Sequence, residues 1–221
     1  MPVLNYLINP VRAVQKVGRM AHNLYWDLRY GGYCGGYQRS RYEDCGGLAT
    51  QSTEYGQLKL LFDQDGVTIR ASDVLVDVGC GKGRVLNYWL SRGWRNRMIG
   101  IELDPAIADQ TRRRLQPYPN ITIVTGNILD TLPLNGTLFY LFYPFTTPVM
   151  KRFKDRLAQQ SRARDSVRIL YYNCADIDVF QNDTAWEVTE LAGQAELFFP
   201  AALIRLRPSR RASKNVSCNH G

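Results

Sequence analysis

Apolar runs alternate with stretches of helical spacing through the middle of the chain. The apolar runs lie at residues 74–79, 97–103, 121–126, 138–143 and 167–172. The helix-like stretches between them lie at residues 83–92, 105–116 and 148–160. Two of these stretches begin with a capping residue followed by proline, at Asp104-Pro105 and Thr147-Pro148, which is typical of a helix start. This alternation predicts a mostly parallel sheet with helices on both faces.

Near the C-terminus the alternation stops. Residues 186–193 (WEVTELAG) and 202–208 (ALIRLRP) have the pattern of strands, and no helix-like stretch separates them. Two strands without a crossover helix predict an antiparallel pair at one edge. The whole pattern therefore predicts a doubly wound α/β fold with a mostly parallel, seven-stranded sheet. The following residues, 209–221, are basic and are expected to form a disordered tail.

The first 51 residues have a different pattern. Apolar residues at helical spacing in residues 1–29 predict one or two amphipathic helices broken near Pro10, packed on the domain that follows. Residues 30–47 are rich in glycine and tyrosine and have no helical or strand period, so we interpret them as a loop that can act as a lid. A further helix is expected over Thr53–Gln64, capped by Ser52 or Thr53.

Length and charge limit the classes of function. At 221 residues the chain fits one domain, residues 52–208, preceded by the N-terminal segment 1–51. The net charge of +8 comes from residues 1–29, which carry +3, and from residues 205–221, which carry +5. The body between them is neutral, so a wide nucleic-acid groove is not indicated. The basic cluster Arg112–Arg114 is expected to form a solvated helix face.

Cysteine usage favours a reducing compartment, and hydropathy favours a soluble protein. The five cysteines are scattered and form no Cys-x-x-Cys pair, so neither a zinc site nor a redox couple is expected, and no other metal site is indicated. No apolar run reaches the roughly 18 residues that a membrane span needs. We therefore expect a soluble, cytoplasmic protein. Contact between residues 1–29 and a membrane surface is kept as an alternative.

A glycine turn follows the first apolar run of the alternating region. The sequence VLVDVGCGKGRV places Asp77 two residues before Gly79, with Gly81 and Gly83 beyond. A dinucleotide fingerprint fails here, because Arg84 stands where its third glycine would pack the helix against the strand. Glycine in such a turn permits positive φ and lets a ligand approach the backbone closely. The pattern therefore indicates a small-molecule site of another kind.

This glycine motif resembles motif I of class I S-adenosylmethionine-dependent methyltransferases. Polar residues near the ends of the next two apolar runs also resemble that family. Glu102 ends the second run, in MIGIELD, where the family has a carboxylate that accepts hydrogen bonds from both ribose hydroxyls. Asn127, followed by Ile128, ends the third run, where the family usually has an aspartate facing the adenine amino group. The asparagine amide oxygen can still accept that hydrogen bond. The resemblance covers about residues 52–208. Over this range the sequence is similar to a bacterial branch of the superfamily, and the resemblance implies S-adenosylmethionine as cofactor.

The resemblance also implies a set of residues around the cofactor. Its expected ligands are Asp77, Gly79, Gly81, Gly83, Glu102, Asn127 and Ile128. We expect Thr53 or Tyr55, at the end of the lid segment, to reach the methionine end. We further expect Glu102→Ala to remove the acceptor for the ribose hydroxyls and nothing structural.

A second family motif falls at the end of the fourth run. LFYPF (Leu141–Phe145) stands where amino-methylating members have [DN]-P-P-[YF], and Tyr143 replaces the first polar residue, so recognition of an amine is not implied. We predict that Tyr143 lines the acceptor side, near the transferable methyl. Both histidines lie in terminal segments, so any proton acceptor is Tyr143, Asp176, Asp178 or water.

The resemblance thus implies an S-adenosylmethionine-dependent methyltransferase with an unidentified acceptor, a small molecule or a protein side chain being favoured. One alternative is a non-catalytic sensor or assembly subunit that binds the same cofactor. A further alternative is a nucleic-acid methyltransferase that uses its basic ends as tethers, which the neutral body of the domain argues against.

Overall fold

The computed structural model describes residues 10–38, 41–42, 48, 50–161, 167–192 and 196–208. The strands are β1 (Tyr37–Gln38), β2 (Thr50–Gln51), β3 (Val74–Val78), β4 (Arg97–Glu102), β5 (Ile121–Thr125), β6 (Leu138–Phe142), β7 (Arg168–Tyr172), β8 (Trp186–Glu190) and β9 (Ala201–Leu206). The helices are α1 (Pro10–Arg29), α2 (Tyr55–Phe62), α3 (Arg84–Ser91), α4 (Pro105–Leu115), α5 (Ile128–Thr131), α6 (Thr147–Ser161) and α7 (Asp178–Gln181).

Seven of the strands form one sheet in the order β5-β4-β3-β6-β7-β9-β8. The first five strands in this order pair in parallel, and β9 runs antiparallel to both β7 and β8. The predicted doubly wound sheet with an antiparallel edge pair is therefore confirmed. From β3 the chain proceeds to β4 and β5 on one side and then returns to β6 on the other. Ligands of open α/β sheets bind at such a switch point, beyond the carboxyl ends of the strands.

Two hydrophobic clusters cover the two faces of the sheet. One packs α2 and α3 against it, with Leu58, Leu61 and Trp89 fully buried. The other packs α5, α6 and α7 against the opposite face, with Met150 and Phe153 fully buried. The central strands are buried along almost their whole length, as expected of a parallel sheet that is covered on both sides.

The boundaries correct several local predictions. The helix α1 is continuous and begins at Pro10, and the preceding residues and the tail from Ser209 lie outside the described residues. The N-cap of α2 is Glu54, so the predicted capping role of Ser52 or Thr53 was wrong. The strand β1, which forms a short antiparallel ladder with β2, lies within residues 30–47, for which the sequence pattern predicts a loop without strands. Asp104 caps α4 as predicted, accepting hydrogen bonds from two backbone N–H groups.

A buried carboxylate attaches the N-terminal helix to the domain. Asp27 of α1 is fully buried and pairs with Arg84 of α3, with an Nη2–Oδ2 distance of 2.6 Å. The same carboxylate accepts hydrogen bonds from the hydroxyl of Tyr55 and the backbone N–H of Cys34. Asp27 therefore joins α1 to α2, to α3 and to the segment that follows α1.

Across the described residues, no helix combines the length and hydropathy of a membrane span.

Candidate functional site

The glycine turn connects β3 to α3 with an unusual backbone. Gly79, Gly81 and Gly83 have φ values of 74°, 50° and 76°. These values lie in the left-handed region, which glycine adopts without the steric penalty of a side chain. The backbone N–H groups of Gly79 and Cys80 both donate to the carbonyl of Ile101 at 2.9 Å, which holds the turn against β4. The sequence prediction of a backbone that needs glycine is thus met by the geometry.

Gly83 has a second reason to be glycine. A Cβ atom at this position would lie 3.0 Å from side-chain atoms of Thr111 and Arg114, both in α4. The third glycine of the motif therefore permits close packing of α4 against the turn. Gly79 and Gly81, in contrast, line a cavity at the carboxyl end of β3.

Glu102, at the end of β4, is buried and holds the glycine turn in place. Its Oε2 atom accepts a hydrogen bond from Gly81 N at 2.8 Å, and its Oε1 atom accepts one from Asp104 N at 2.9 Å. Burial raises the pKa of Glu102, while these backbone N–H groups lower it in part. The expectation that Glu102 has no structural role was wrong, because its carboxylate fixes two loops at once. Each oxygen still has a lone pair for a ligand hydroxyl.

Asp77 of β3, close to Glu102, has an unsatisfied carboxyl group. Its side chain is 2 % exposed, and its Oδ2 atom has no hydrogen-bond partner within the described residues. Burial raises the pKa of Asp77 well above its usual range, and the nearby charge of Glu102 raises it further. An unpaired buried carboxyl group is costly, so a cationic ligand group that contacts Asp77 would gain a strong interaction.

Two adjoining cavities open at the carboxyl ends of β3 and β6. The first, here called the inner cleft, has a volume of about 30 Å³ and is lined by Thr53, Asp77, Gly79, Gly81 and Phe142 among others. The second, here called the outer chamber, has a volume of about 670 Å³ and lies toward α1 and the segment before β9. Five described residues line both cavities, namely Gln51, Ser52, Thr53, Arg84 and Phe142.

The remaining predicted site residues have different positions. The Oγ1 atom of Thr53 lies 2.8 Å from the hydroxyl of Tyr140, at the junction of the two cavities. Tyr55 is buried and donates its hydroxyl to Asp27, away from the lining of either cavity. Asn127 caps α5, with its Oδ1 atom accepting from Leu129 N, and Ile128 is buried. A role of these four residues in cofactor binding stays a prediction.

Tyr143 lies directly after β6 with a strained backbone. Its φ is 41°, and Asn173, directly after the neighbouring β7, has a φ of 51°. Left-handed conformations of such residues cost about 1–3 kcal/mol and tend to occur at functional sites. The Tyr143 side chain packs against the cluster formed with α6, whereas Phe142 lines both cavities. The catalytic role of Tyr143 stays a prediction, and Phe142 is the residue of this motif that the sequence interpretation had not selected.

The segment after α1 packs on the glycine turn. Cys34 Sγ donates to the carbonyl of Lys82 at 3.2 Å, and Lys82 Nζ donates to the carbonyl of Gly35 at 3.0 Å. Arg114 adds hydrogen bonds to the carbonyls of Tyr30 and Lys82, so its assignment to a solvated helix face was wrong. Whether this segment closes over a cofactor stays a prediction, and residues 39–40, 43–47 and 49 lie outside the described residues.

The unpaired carboxyl group of Asp77 leads to a pH-dependent prediction. A folded-state pKa above the unfolded value gives stability that is complete below about pH 4 and is lost as the pH rises through the folded pKa. Asp77→Asn removes this loss, so the ligand-free variant should become more stable than the parent chain between pH 5 and 8. Thermal unfolding across this range measures the effect, with the exposed Asp65→Asn as control. Parallel pH profiles for Asp77→Asn and the parent chain would contradict the prediction.

The described residues offer no cluster of metal-ligating side chains. Among the described residues, no group of three histidine, cysteine, aspartate or glutamate side chains is placed to hold a metal ion. The described cysteines Cys34, Cys80 and Cys174 are buried and unpaired in disulfides. The candidate site is built on a glycine turn and two acidic residues.

Comparison with known proteins identifies the type of domain. Residues 75–169 match a family described as "Methyltransferase domain". The curated ribosomal RNA small subunit methyltransferase A of Geobacter sulfurreducens is 29 % identical over 99 residues, which cover 40 % of this chain and 35 % of that protein. The chain thus spans about a third of the length of this relative.

Solved structures show the same fold. A Podospora anserina methyltransferase bound to S-adenosylhomocysteine has a TM-score of 0.56 at 12 % identity, covering 94 % of this chain and 99 % of that one. The cofactor-bound protein Rv0187 from MTB has a TM-score of 0.54 at 16 % identity, covering 90 % and 97 %. Together with the family match, these structures confirm the resemblance to class I S-adenosylmethionine-dependent methyltransferases.

Proposed function

We propose that this protein is an enzyme that transfers the methyl group of S-adenosylmethionine to an acceptor molecule. The observation that carries the proposal is the convergence of the left-handed glycine turn, the Glu102 carboxylate and the unpaired Asp77 carboxyl at one sheet edge. The methyltransferase family match over residues 75–169 supports the same activity.

The residues present fit the chemistry of this cofactor. S-adenosylmethionine carries an ammonium group, which would pair with the unsatisfied Oδ2 atom of Asp77. Its ribose has two adjacent hydroxyls, which would donate to the lone pairs that Glu102 retains. Gly79 and Gly81 line the inner cleft and have no side chains, so a ligand there could approach the backbone of the left-handed turn closely. Asn127 would accept from the adenine amino group with the second lone pair of its amide oxygen.

The reaction is an in-line displacement. The acceptor atom would form a bond to the methyl carbon as the bond from that carbon to sulfur breaks, and S-adenosylhomocysteine would leave with the electron pair. Orientation is the main contribution of the protein, and well-aligned reactants gain up to roughly 7–11 kcal/mol. The described histidine, His22, lies in α1 and accepts a hydrogen bond from Trp26. A proton lost by the acceptor would pass to Tyr143, to Asp176 or Asp178, or to water.

The cellular setting is part of the same proposal. We place the protein in the cytoplasm, in keeping with buried cysteines (Cys34, Cys80 and Cys174) that form no disulfide with one another. The charge of the body is balanced, which supports a small-molecule or protein acceptor over a nucleic acid.

A matched pair of glycine variants tests the cofactor site. Gly81→Ala and Gly93→Ala both place a side chain at positive φ, where the strain is about 1–2 kcal/mol. Only Gly81 lines the inner cleft, whereas a Cβ atom at Gly93 meets no atom within 4 Å. Calorimetry should therefore show binding of S-adenosylhomocysteine weakened at least about tenfold by Gly81→Ala and unchanged by Gly93→Ala. Equal affinities for the two variants would contradict this location of the site.

Turnover requires a separate measurement. The purified chain is incubated with S-adenosylmethionine and fractions of a cell extract, and release of S-adenosylhomocysteine is measured by mass spectrometry. Release that Gly81→Ala abolishes would support the enzyme. Tight cofactor binding without release in any fraction would instead favour a non-catalytic sensor or assembly subunit.

A further inference from the structure

We propose that the outer chamber binds the methyl acceptor and selects an uncharged, largely apolar or aromatic molecule. This inference rests on the proposed methyl transfer, because it assigns the chamber as the acceptor side of the same site. The position of the chamber, the composition of its walls and the pairing of its charges carry the argument.

The position of the chamber suits an acceptor. It shares Thr53 and Phe142 with the inner cleft, so a molecule that fills the chamber contacts a ligand bound at the glycine turn. The chamber volume of about 670 Å³ lies within the roughly 300–1,000 Å³ that is usual for small-molecule sites. A separate binding surface elsewhere on the molecule is therefore not needed to bring an acceptor to the methyl group.

Aromatic side chains form one wall of the chamber. The rings of Phe142 and Tyr172 are stacked with centroids 5.1 Å apart, and Phe199 packs against both at 5.7 Å. Phe142 and Phe199 are half-buried and can offer apolar ring surface to an aromatic or unsaturated ligand, whereas Tyr172 is buried and supports them from behind. This wall begins at the end of β6, next to the inner cleft, and continues outward past the end of β7.

The opposite wall is the apolar side of α1. Val17, Met20 and Leu24 line the chamber and remain 65 %, 61 % and 43 % exposed. Large apolar side chains that line a cavity and stay open to water gain free energy when an apolar ligand covers them, at roughly 25 cal/mol per Å². The arrangement therefore favours a ligand that contacts both the helix and the aromatic wall.

The charges of the chamber are already paired. Among the described lining residues, Arg84 is held by Asp27, and Glu54 is held by Arg19 at 3.2 Å. The Arg19 guanidinium also lies 5.3 Å from the ring centroid of Phe198. A charged acceptor would meet no unpaired counter-charge among these lining residues, so the cost of removing its charge from water would not be offset.

Two polar side chains of the chamber, Gln57 and Ser52, are also engaged. Gln57 accepts hydrogen bonds from the Tyr172 hydroxyl and from Phe198 N, and it donates to the carbonyl of Glu196. Ser52 donates to the carbonyl of Cys34. These bonds hold the walls in position, so Gln57 and Ser52 are expected to contribute less to selectivity than shape and apolar contact do.

Two substitutions on one helix test the proposal. Met20→Glu places a carboxylate in the wall of the chamber, whereas Val14→Glu places one on the same helix at a residue that is 73 % exposed and outside the chamber lining. The probe is N-phenyl-1-naphthylamine, an uncharged aromatic dye whose fluorescence rises in apolar surroundings. We expect saturable binding of the dye to the parent chain, weakened at least about tenfold by Met20→Glu and unchanged by Val14→Glu.

The outcomes separate this proposal from the proposed function. Absence of saturable dye binding, or equal weakening by both variants, would overturn the chamber assignment, because equal weakening indicates binding along the whole apolar side of α1. Binding of S-adenosylhomocysteine is measured by calorimetry on the same samples and should be retained in both variants. If the parent chain does not bind S-adenosylhomocysteine, the proposed methyl transfer itself is refuted, whether or not the dye binds.

Discussion

Glu102→Ala is expected to weaken binding of S-adenosylmethionine about 100-fold or more. The substitution removes the carboxylate that would accept both ribose hydroxyls, and hydrogen bonds to a charged group each contribute roughly 1.5–3 kcal/mol. It also leaves the backbone N–H groups of Gly81 and Asp104 without their partner, so the glycine turn loses its support. We therefore expect a lower melting temperature as well as weaker binding, measured by thermal unfolding and calorimetry.

Glu102→Gln separates these two effects. The glutamine side chain has the same shape and keeps one acceptor oxygen, but its amide nitrogen cannot accept a hydrogen bond. We expect this variant to retain more stability than Glu102→Ala and still to bind the cofactor at least about tenfold more weakly than the parent chain. A folded Glu102→Gln that binds S-adenosylmethionine as tightly as the parent chain would refute the assignment of Glu102.

Asp27→Asn is expected to cause the largest loss of stability. The substitution leaves Arg84 buried without its counter-ion, and breaking a buried ion pair in this way costs about 3–5 kcal/mol. The amide also weakens the contacts that Asp27 makes to Tyr55 and Cys34. These contacts attach α1 to the domain. Their loss should therefore detach the helix, expose it to proteolysis and remove one wall of the outer chamber. Urea unfolding and limited proteolysis measure the two effects.

Asp73→Asn is the matched control for Asp27→Asn. Asp73 forms a second buried ion pair, with Arg168 at 2.6 Å, but it lies just before β3, at the end of the strand opposite the glycine turn. Both variants should lose stability, and only Asp27→Asn should increase cleavage within α1 under conditions where the rest of the chain stays folded. The same cleavage pattern in both variants would show that Asp27 has no special role in holding the helix.

The ion pair can also be examined as a unit. Asp27→Leu combined with Arg84→Met removes both charges and keeps apolar volume in the interior. A buried ion pair replaced by apolar residues is often neutral in stability, whereas one partner left behind is strongly destabilising. The double variant should therefore be more stable than Asp27→Asn.

Periodicity determined most of the fold. The apolar runs at 74–79 and 97–103 became β3 and β4 within about one residue of their predicted ends, because alternation of helices and strands depends on neighbours in the chain. The glycine turn was also predictable, since glycines spaced by one residue after an apolar strand have few structural alternatives. Where prediction failed locally, as at the N-cap of α2, the hydroxyl of Thr53 had found a tertiary partner in Tyr140.

Contacts between distant residues decided the rest. Arg84 was noticed in the sequence only as a residue that excludes a dinucleotide motif, yet it pairs with Asp27, 57 positions away. Arg114 belonged to a basic cluster of a helix, yet it binds backbone carbonyls of Tyr30 and Lys82. For Glu102 the sequence predicts a cofactor ligand, whereas its support of the glycine turn is visible only in the structure.

The sequence by itself thus determined the order of elements, the glycine turn and the class of domain. The tertiary structure decided which charges are paired inside the protein, which residues line the outer chamber, and that Phe142 faces the cavities while Tyr143 packs against the opposite cluster. The physical reason is that periodicity and turn propensity are local properties of the chain. Burial, ion pairing and the direction of a side chain depend on how elements far apart in sequence pack together.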